Sequence, residues 1–404
     1  MSANYAQRPE SPPSFAHLRR MTDDTGLLEH ALGRTPRRVE GYCVDDNCRA
    51  LWTVTEWLSL DRNTLSEEDR DELTRMADIY LAFLLWTQPE NGWWHNNIAY
   101  DRSPEDLPPS DDCQGRAIWA CADAWIRLDG PQLMTAQHLC ERAIPTLTQI
   151  ESQRGQAWAM ATCAHLLEAA DTGVIELQEA VKNELKLNLE RLEAMFTGAF
   201  RHFSDDNWHW FEPGMTYSNG IFSWAMLRTY RYTRRPDTLD IGLQSLSFLL
   251  EVMTAEEGWL RPIGNQGWGS ADSVSRWDQQ PLEMFKLALA LEEAAAAVSL
   301  PEEKDSSQLV TSSIGTAGKQ SVVSAASNKA GVNKRTELTN HSHYRAMRDL
   351  CRNWFYGDND LQVPMADPTD GSCCDGLRKN GANRNCGAES TLSYLMTEAL
   401  CRRA

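Results

Sequence analysis

Residues 41–49 read GYCVDDNCR and residues 110–117 read SDDCQGRA, so two adjacent aspartates twice precede an apolar, helix-like run. A single aspartate at a helix start accepts backbone N–H bonds and suits the helix dipole, worth about 1 kcal/mol. A second carboxylate beside it repels the first unless it meets a sugar hydroxyl, a cation or an arginine. Arg49 and Arg116 stand three to four residues into the two runs, on the same helical face, and can be that counter-charge. The expectation is that one aspartate of each pair, Asp45-Asp46 and Asp111-Asp112, tethers its helix while the other faces a cleft.

Other acids have two readings each. Glu212, in WHWFEP, is flanked by Trp210, Phe211 and Pro213. Apolar surroundings raise a carboxyl pKa, as a general acid requires; the competing reading is an exposed glutamate in a first helical turn. Asp278 follows Trp277 and precedes Gln279 at another helix start, with the same two readings. Glu389, in CGAES, is either a site residue or a capping-turn glutamate, and His95 and His209 are loop histidines beside tryptophans. Trp93, Trp94, Trp208, Trp210, Trp259, Trp268 and Trp277 all fall in loops rich in Asp, Glu, His, Asn, Gln or Arg. Indoles stack on the C–H faces of pyranose rings while carboxylates and amides take the hydroxyls, which is the chemistry of a carbohydrate cleft. The alternative is that these rings only cover the ends of a barrel.

The elements that must carry these residues read as helices. Apolar positions recur at helical spacing over 46–60, 69–87, 112–128, 132–151, 156–170, 176–197, 217–232, 237–253, 278–299, 343–356 and 387–402, with a short helix near 22–32. Segments 112–128, 156–170, 217–232 and 387–402 are rich in small residues and poor in charge, whereas 69–87, 132–151, 176–197 and 237–253 carry polar stripes. A helix apolar on most faces is buried, and one with a polar stripe covers it. That alternation predicts an all-α fold, an (α/α)6 barrel with six inner and six outer helices, forming one domain over 15–404 behind a disordered N-terminus at 1–14. Residues 301–342 are Ser-, Ala-, Thr- and Lys-rich and read as a flexible insertion.

The 404 residues are 42% hydrophobic and 24% charged, a globular profile. A net charge of -18 argues against nucleic acid and anionic membranes as partners. No stretch approaches the ~20 apolar residues of a membrane span, and the polar N-terminus has no apolar signal core. The eleven cysteines lack zinc-site spacing and read as reduced thiols, so the chain is expected to be cytoplasmic. No dinucleotide fingerprint, P-loop, nucleophile elbow or H-E-x-x-H motif occurs, so no cofactor or metal is expected. What remains is acid/base work by paired carboxylates, which glycoside hydrolysis performs at separations of about 5–5.5 Å for retention or about 6.5–9.5 Å for inversion.

Several stretches together resemble a bacterial family of six-hairpin, (α/α)6-barrel, glycosidase-like proteins, often encoded beside or fused to glycosyltransferases. They are MTDDTGLLEHA (21–31), GYCVDDNCRAL (41–51), NGWWHNNIAYDR (91–102), SDDCQGRAIWA (110–120), WFEPGMTYSNG (210–220), RPIGNQGW (261–268), WDQQPLE (277–283) and the run 375–395. The resemblance implies a carbohydrate substrate, a glycosyltransferase partner and a barrel mouth lined by Asp45, Asp46, Asp112, Glu212, Asp278 and Glu389. The chain departs from the family pattern at Cys113-Gln114, where Ser-His is expected, and at Ser218-Asn219. The leading expectation is a glycoside hydrolase with Glu212 or Asp278 as general acid and an aspartate of either pair, Asp46 or Asp112, as base. Loop tryptophans (Trp94, Trp210, Trp268), with His95, Tyr217, Asn219, Gln279 and Arg116, would hold the sugar. A sugar epimerase or isomerase, or a non-catalytic carbohydrate-binding partner of a glycosyltransferase, are the rivals; epimerases of this build usually rely on histidines.

Overall fold

Capping and helical patterning act together from the first long hairpin onward. Ser66 accepts the backbone N–H of Asp69 at 3.0 Å, and Glu67, Glu68 and Asp69 crowd the first turn of the helix that follows, where carboxylates suit the dipole. Proline occupies the first turn of three later helices, where its missing N–H costs nothing. The computed structural model describes residues 9–104, 108–300 and 341–403.

Among the described residues there are twelve α-helices. In chain order they are α1 (Ala16–Met21), α2 (Val44–Leu58), α3 (Glu67–Thr87), α4 (Asp111–Arg127), α5 (Gly130–Ala143), α6 (Gln153–Asp171), α7 (Glu179–Phe203), α8 (Gly220–Thr233), α9 (Pro236–Met253), α10 (Pro281–Val298), α11 (His341–Phe355) and α12 (Ala388–Leu400). Helices α2, α4, α6, α8, α10 and α12 each pack on the next, and α12 closes the ring on α2. Each has an outer helix against it, so the chain is an (α/α)6 barrel, as its pattern of apolar and striped helices predicts. At α4 and α6 the approach is close: a Cβ on Gly115 would stand 2.8 Å from the Gly155 carbonyl oxygen, so glycine is required there.

All six inner helices begin at one end, the mouth, and the loops that lead into them are bound by short antiparallel ribbons. One joins β3 (Tyr42–Cys43) to β4 (Asn97–Ile98), another β5 (Gly214–Met215) to β6 (Gly269–Ser270). Near the last helix, β7 (Ala366–Asp367) pairs with β8 (Ser372–Cys373), and β9 (Gly376–Arg378) with β10 (Gly381–Asn383). Midway down, the axis is filled by rings. Trp119 lies 4.6 Å from Trp224, Trp158 5.2 Å from Trp224 and Trp52 5.4 Å from Phe285, mostly edge-on or tilted. Such pairs add about 0.5–1.5 kcal/mol each beyond their buried area. This aromatic plug separates the mouth from the far end.

Three expectations need correction or placement. No helix forms over 22–32: the Asp23 carboxylate accepts the N–H groups of Thr25 (2.9 Å) and Gly26 (3.2 Å), and a hairpin of β1 (Ala31–Leu32) and β2 (Thr35–Pro36) follows. An Asx-type turn outcompetes the helix there. The helix expected over 132–151 ends at Ala143, because Pro145 supplies no N–H, and continues as a 3-10 turn over Ile144–Gln149. The insertion at 301–342 lies outside the described residues except for its last two, which open α11, and residues 1–8 of the N-terminal segment lie outside them too.

Candidate active site

The doubled aspartates do more than cap. The residue preceding α2 is Cys43, which makes no side-chain cap, so Asp45 and Asp46 both lie in the first turn. Arg49, one turn on, reaches Asp45 at 2.9 Å, Asp46 at 2.6 Å and, across the closed ring, Glu389 of α12 at 2.8 Å. Arg116 of α4 pairs with Asp45 and, at 2.9 Å, with Asp112. Helix α4 is capped by Ser110. Asp111 turns away to accept the N–H groups of Glu151 (2.8 Å) and Ser152 (2.7 Å) at the start of α6. One aspartate of that pair is thus a tether, as expected, but of the neighbouring helix, while Asp112 joins the mouth network.

From α6, Arg154 continues the network. It binds Glu212 through two 3.3 Å contacts, the Thr216 hydroxyl at 2.7 Å and the Tyr217 carbonyl at 2.7 Å, and its guanidinium lies 4.5 Å from the Tyr217 ring. The Tyr217 hydroxyl faces Asp112. Asp45, Asp46, Asp112, Glu212 and Glu389 therefore share one continuous set of contacts running through Arg49, Arg116 and Arg154.

Charge is unevenly matched there. Asp45, Asp46, Asp112 and Glu389 face only two guanidiniums that contact them. Burial, reinforced by Glu389 and Glu29, pushes Asp46 up to about 7 despite Arg49. Burial raises Asp112 as well, against the pull of Arg49, Lys286 and Arg154, and its second oxygen is buried without a partner. Burial opposes the charge of Arg49, yet Glu389 and Asp46 push its pKa upward. Below them Lys286, on α10, is fully buried and unpartnered, with its Nζ 4.3 Å from the Trp158 ring and 4.4 Å from that of Phe285. Burial, then Arg116 and Arg49, hold its pKa well below that of an ordinary lysine. An amine whose charge is disfavoured thus lies under a layer of carboxylates.

Other expected residues have settings different from those foreseen. Glu212 meets a guanidinium instead of purely apolar neighbours. Asp278 lies 3.5 Å from Arg378 and against the backbone of Gly376. Gln279 is buried, bonded to Asp360 (2.7 Å) and Trp354 (3.2 Å), and Asn219 is buried on Glu283 at 3.0 Å, pinning the start of α8. Both are framework residues. The wall of indoles is corrected most. Trp94 and Trp210 are fully buried, and the Trp94 N–H donates to the Leu84 carbonyl at 3.1 Å. Trp208 is buried too, on the Glu212 carbonyl. Large rings gain more from burial than from a wet rim. Trp268 stays half-buried in a left-handed turn, and His95 lines a separate cavity with Trp86 and Pro89. Sequence reasoning missed Arg154, Lys286 and Glu283. Lys286 left a signal, a lone lysine inside the apolar run PLEMFKLALAL.

The far end of the barrel carries a second network. Glu56 accepts from Arg127 at 2.6 Å and from Arg403 at 2.5 Å. Arg127 also holds Asp123, at 3.2 Å. His165 bridges Asp123 (3.2 Å) and Arg228 (2.5 Å), and Arg231 binds Glu293 at 2.9 Å. A cavity of about 420 Å³ opens beside it.

No family model matches the chain, and no curated protein does. Solved structures match over nearly its full length. The cellobiose 2-epimerase of Bacillus thermoamylovorans superposes with a TM-score of 0.62 at 10% identity, covering 97% of this chain and 96% of that one. A sugar epimerase from a ruminal bacterium gives 0.59 at 13%, covering 96% and 95%. The α-1,6-mannanase GH76A of Salegentibacter sp. gives 0.54 at 11%, over 96% and 95%. The fold is that of the six-hairpin glycosidases and sugar epimerases. Identities this low establish architecture and leave the chemistry to the residues.

Proposed function

We propose that the chain is a carbohydrate-active enzyme, a glycoside hydrolase in which Asp46 donates the proton and Asp112 serves as base or nucleophile. The observation that carries this reading is the mouth network, where carboxylates from neighbouring inner helices outnumber their guanidiniums. One of them is held half-protonated near neutral pH. A general acid works best with its pKa near the working pH. The sequence gives the acid role to Glu212 or Asp278; Asp46 takes it here because, although Arg49 faces it, its burial and the neighbouring Glu389 and Glu29 outweigh that guanidinium. Asp112 has one carboxylate oxygen that is buried without a hydrogen bond, and in this reading a shift of the Tyr217 side chain on sugar binding would open it to the substrate. Tyr217, partly exposed beside it, is the ring best placed to meet a sugar.

Two likenesses bear on the substrate. The mannanase is also known as an inactive variant with two adjacent aspartates replaced, in complex with α-1,6-mannotetraose. That parallels the doubled aspartates here. The epimerases favour a second reading, isomerisation of a sugar without bond cleavage. Against it, the mouth contacts described above are made by carboxylates, arginines and a tyrosine, while His165 belongs to the far end.

The test is incubation with a panel of oligo- and polysaccharides, α-1,6-linked mannan among them, with reducing-sugar detection and NMR in parallel. Hydrolysis is expected for wild type, and glycan binding without cleavage for Asp46→Asn and Asp112→Asn. Interconversion of sugars with no new reducing ends would replace the hydrolase by the epimerase.

A further inference from the structure

Three cysteines gather at the rim of the mouth, away from the acid network. Cys373 ends β8, Cys374 follows it, and Cys386 stands just ahead of α12. The thiols of Cys374 and Cys386 lie close enough to influence each other, and that of Cys386 also donates to the Arg384 carbonyl at 3.6 Å. Between their neighbours, the Asp375 N–H donates to the Asn385 carbonyl at 2.8 Å. Chain segments joined in this way bring flanking residues to about the 4.4–6.8 Å Cα separation that a disulfide spans. Both thiols line a cavity of about 670 Å³ together with Arg34 and Arg384. Cys374 is partly exposed, whereas Cys373 is fully buried and donates to the Cys374 carbonyl at 3.5 Å. The neighbouring Cys386 thiol, helped by Arg384 and Arg34, lowers the pKa of Cys374, so the accessible thiol is the one that ionises.

We propose that Cys374 and Cys386 are a reversible oxidation site that closes to a disulfide on reaction with a hydroperoxide. The Cys374 thiolate attacks the peroxide, the O–O bond breaks, and the sulfur is oxidised to a sulfenic acid while the peroxide is reduced to an alcohol or water. Cys386 then attacks that sulfur as its proton leaves. The S–O bond breaks, the S–S bond forms and water departs. The loop so closed contains Leu377, whose backbone pairs with Gln279, and Arg378, which faces Asp278. It leads directly into Glu389, a partner of Arg49. Oxidation therefore clamps one wall of the mouth, and a cellular dithiol reverses it.

The reduced full-length chain, treated with one equivalent of hydrogen peroxide and digested with trypsin, tests this. Arg378, Lys379 and Arg384 lie between the two cysteines, so the expected product is a pair of peptides joined by one disulfide and separated by dithiothreitol. The linked pair should vanish in Cys374→Ser and Cys386→Ser and persist in Cys373→Ser, with thermal melts showing each variant folded. Should either serine variant fail to fold, wild type and Cys373→Ser decide alone. Free alkylation of both cysteines after peroxide overturns the proposal. So does over-oxidation of Cys374 without a linked product, or a linked pair lost only in Cys373→Ser.

Discussion

At the mouth a single arginine, Arg49, serves Asp45, Asp46 and Glu389, whereas at the far end a single glutamate, Glu56, is served by Arg127 and Arg403. The residue types are the same and the ratio is inverted. Burial acts on both, yet at the far end guanidiniums overcome it: Arg403 and Arg127 hold Glu56 far below the ordinary range, and Arg127 and His165 lower Asp123. At the mouth burial wins, helped by neighbouring acids at Asp46, and Asp46 and Asp112 rise. Carboxylates with surplus counter-charge are fasteners. Carboxylates short of it keep a proton to give.

The largest effect that would break this comparison is catalytic. Asp46→Asn should lower kcat/KM by about a thousandfold, a general acid's usual share, while the folded state melts no lower than wild type because a crowded negative charge has gone. The far end should respond in the opposite sense. Glu56→Gln leaves Arg127 and Arg403 buried with poorer partners and should cost about 3–5 kcal/mol in urea unfolding, with kcat per folded molecule unchanged.

A pH series sharpens the same contrast. Asp46 binds its proton more tightly folded than unfolded, so the mouth loses stability as pH rises from the ordinary aspartate range through about 7. Glu56 binds its proton less tightly folded, so its contribution is complete above the ordinary glutamate range and is lost as pH falls below it. Denaturant midpoints should therefore climb from acid toward pH 5 and sag toward pH 8, and Asp46→Asn should make the sag shallower without changing the acid limb, the remainder coming from Asp112 and other buried acids that are also raised. Activity should fall as pH rises through about 7. The smallest effect belongs to Lys286→Met. Replacing a buried, unpartnered amine among aromatic rings should change stability by no more than about 1 kcal/mol, while loss of its pull on Asp112 shifts the pH profile of kcat/KM upward.

The barrel was legible because inner and outer helices differ in how far apolar residues wrap around them, a pattern each helix carries locally. Asp45, Asp46, Asp112 and Glu389 were legible as helix-start acids, and their arginines followed from spacing of three or four. The loop tryptophans misled, since Trp94 and Trp268 sit in similar company and only tertiary packing buries the first and leaves the second at the surface. Arg154 was hidden because its partners, Glu212 and Tyr217, come from a loop some sixty residues away. The expected surroundings of Glu212 were misread for the same reason: flanking Trp and Phe predicted an apolar setting, and a guanidinium from another helix supplied a polar one.

The ring of inner helices is closed by contact between α12 and α2, and Arg49 meets Glu389 across that seam. A chain emerging from the ribosome carries Asp45, Asp46 and Arg49 long before Glu389 exists. Until α12 is made, α2 has an open flank and its acids lack that wall. The mouth is therefore completed last, by the one seam that joins the two ends of an otherwise consecutive ring.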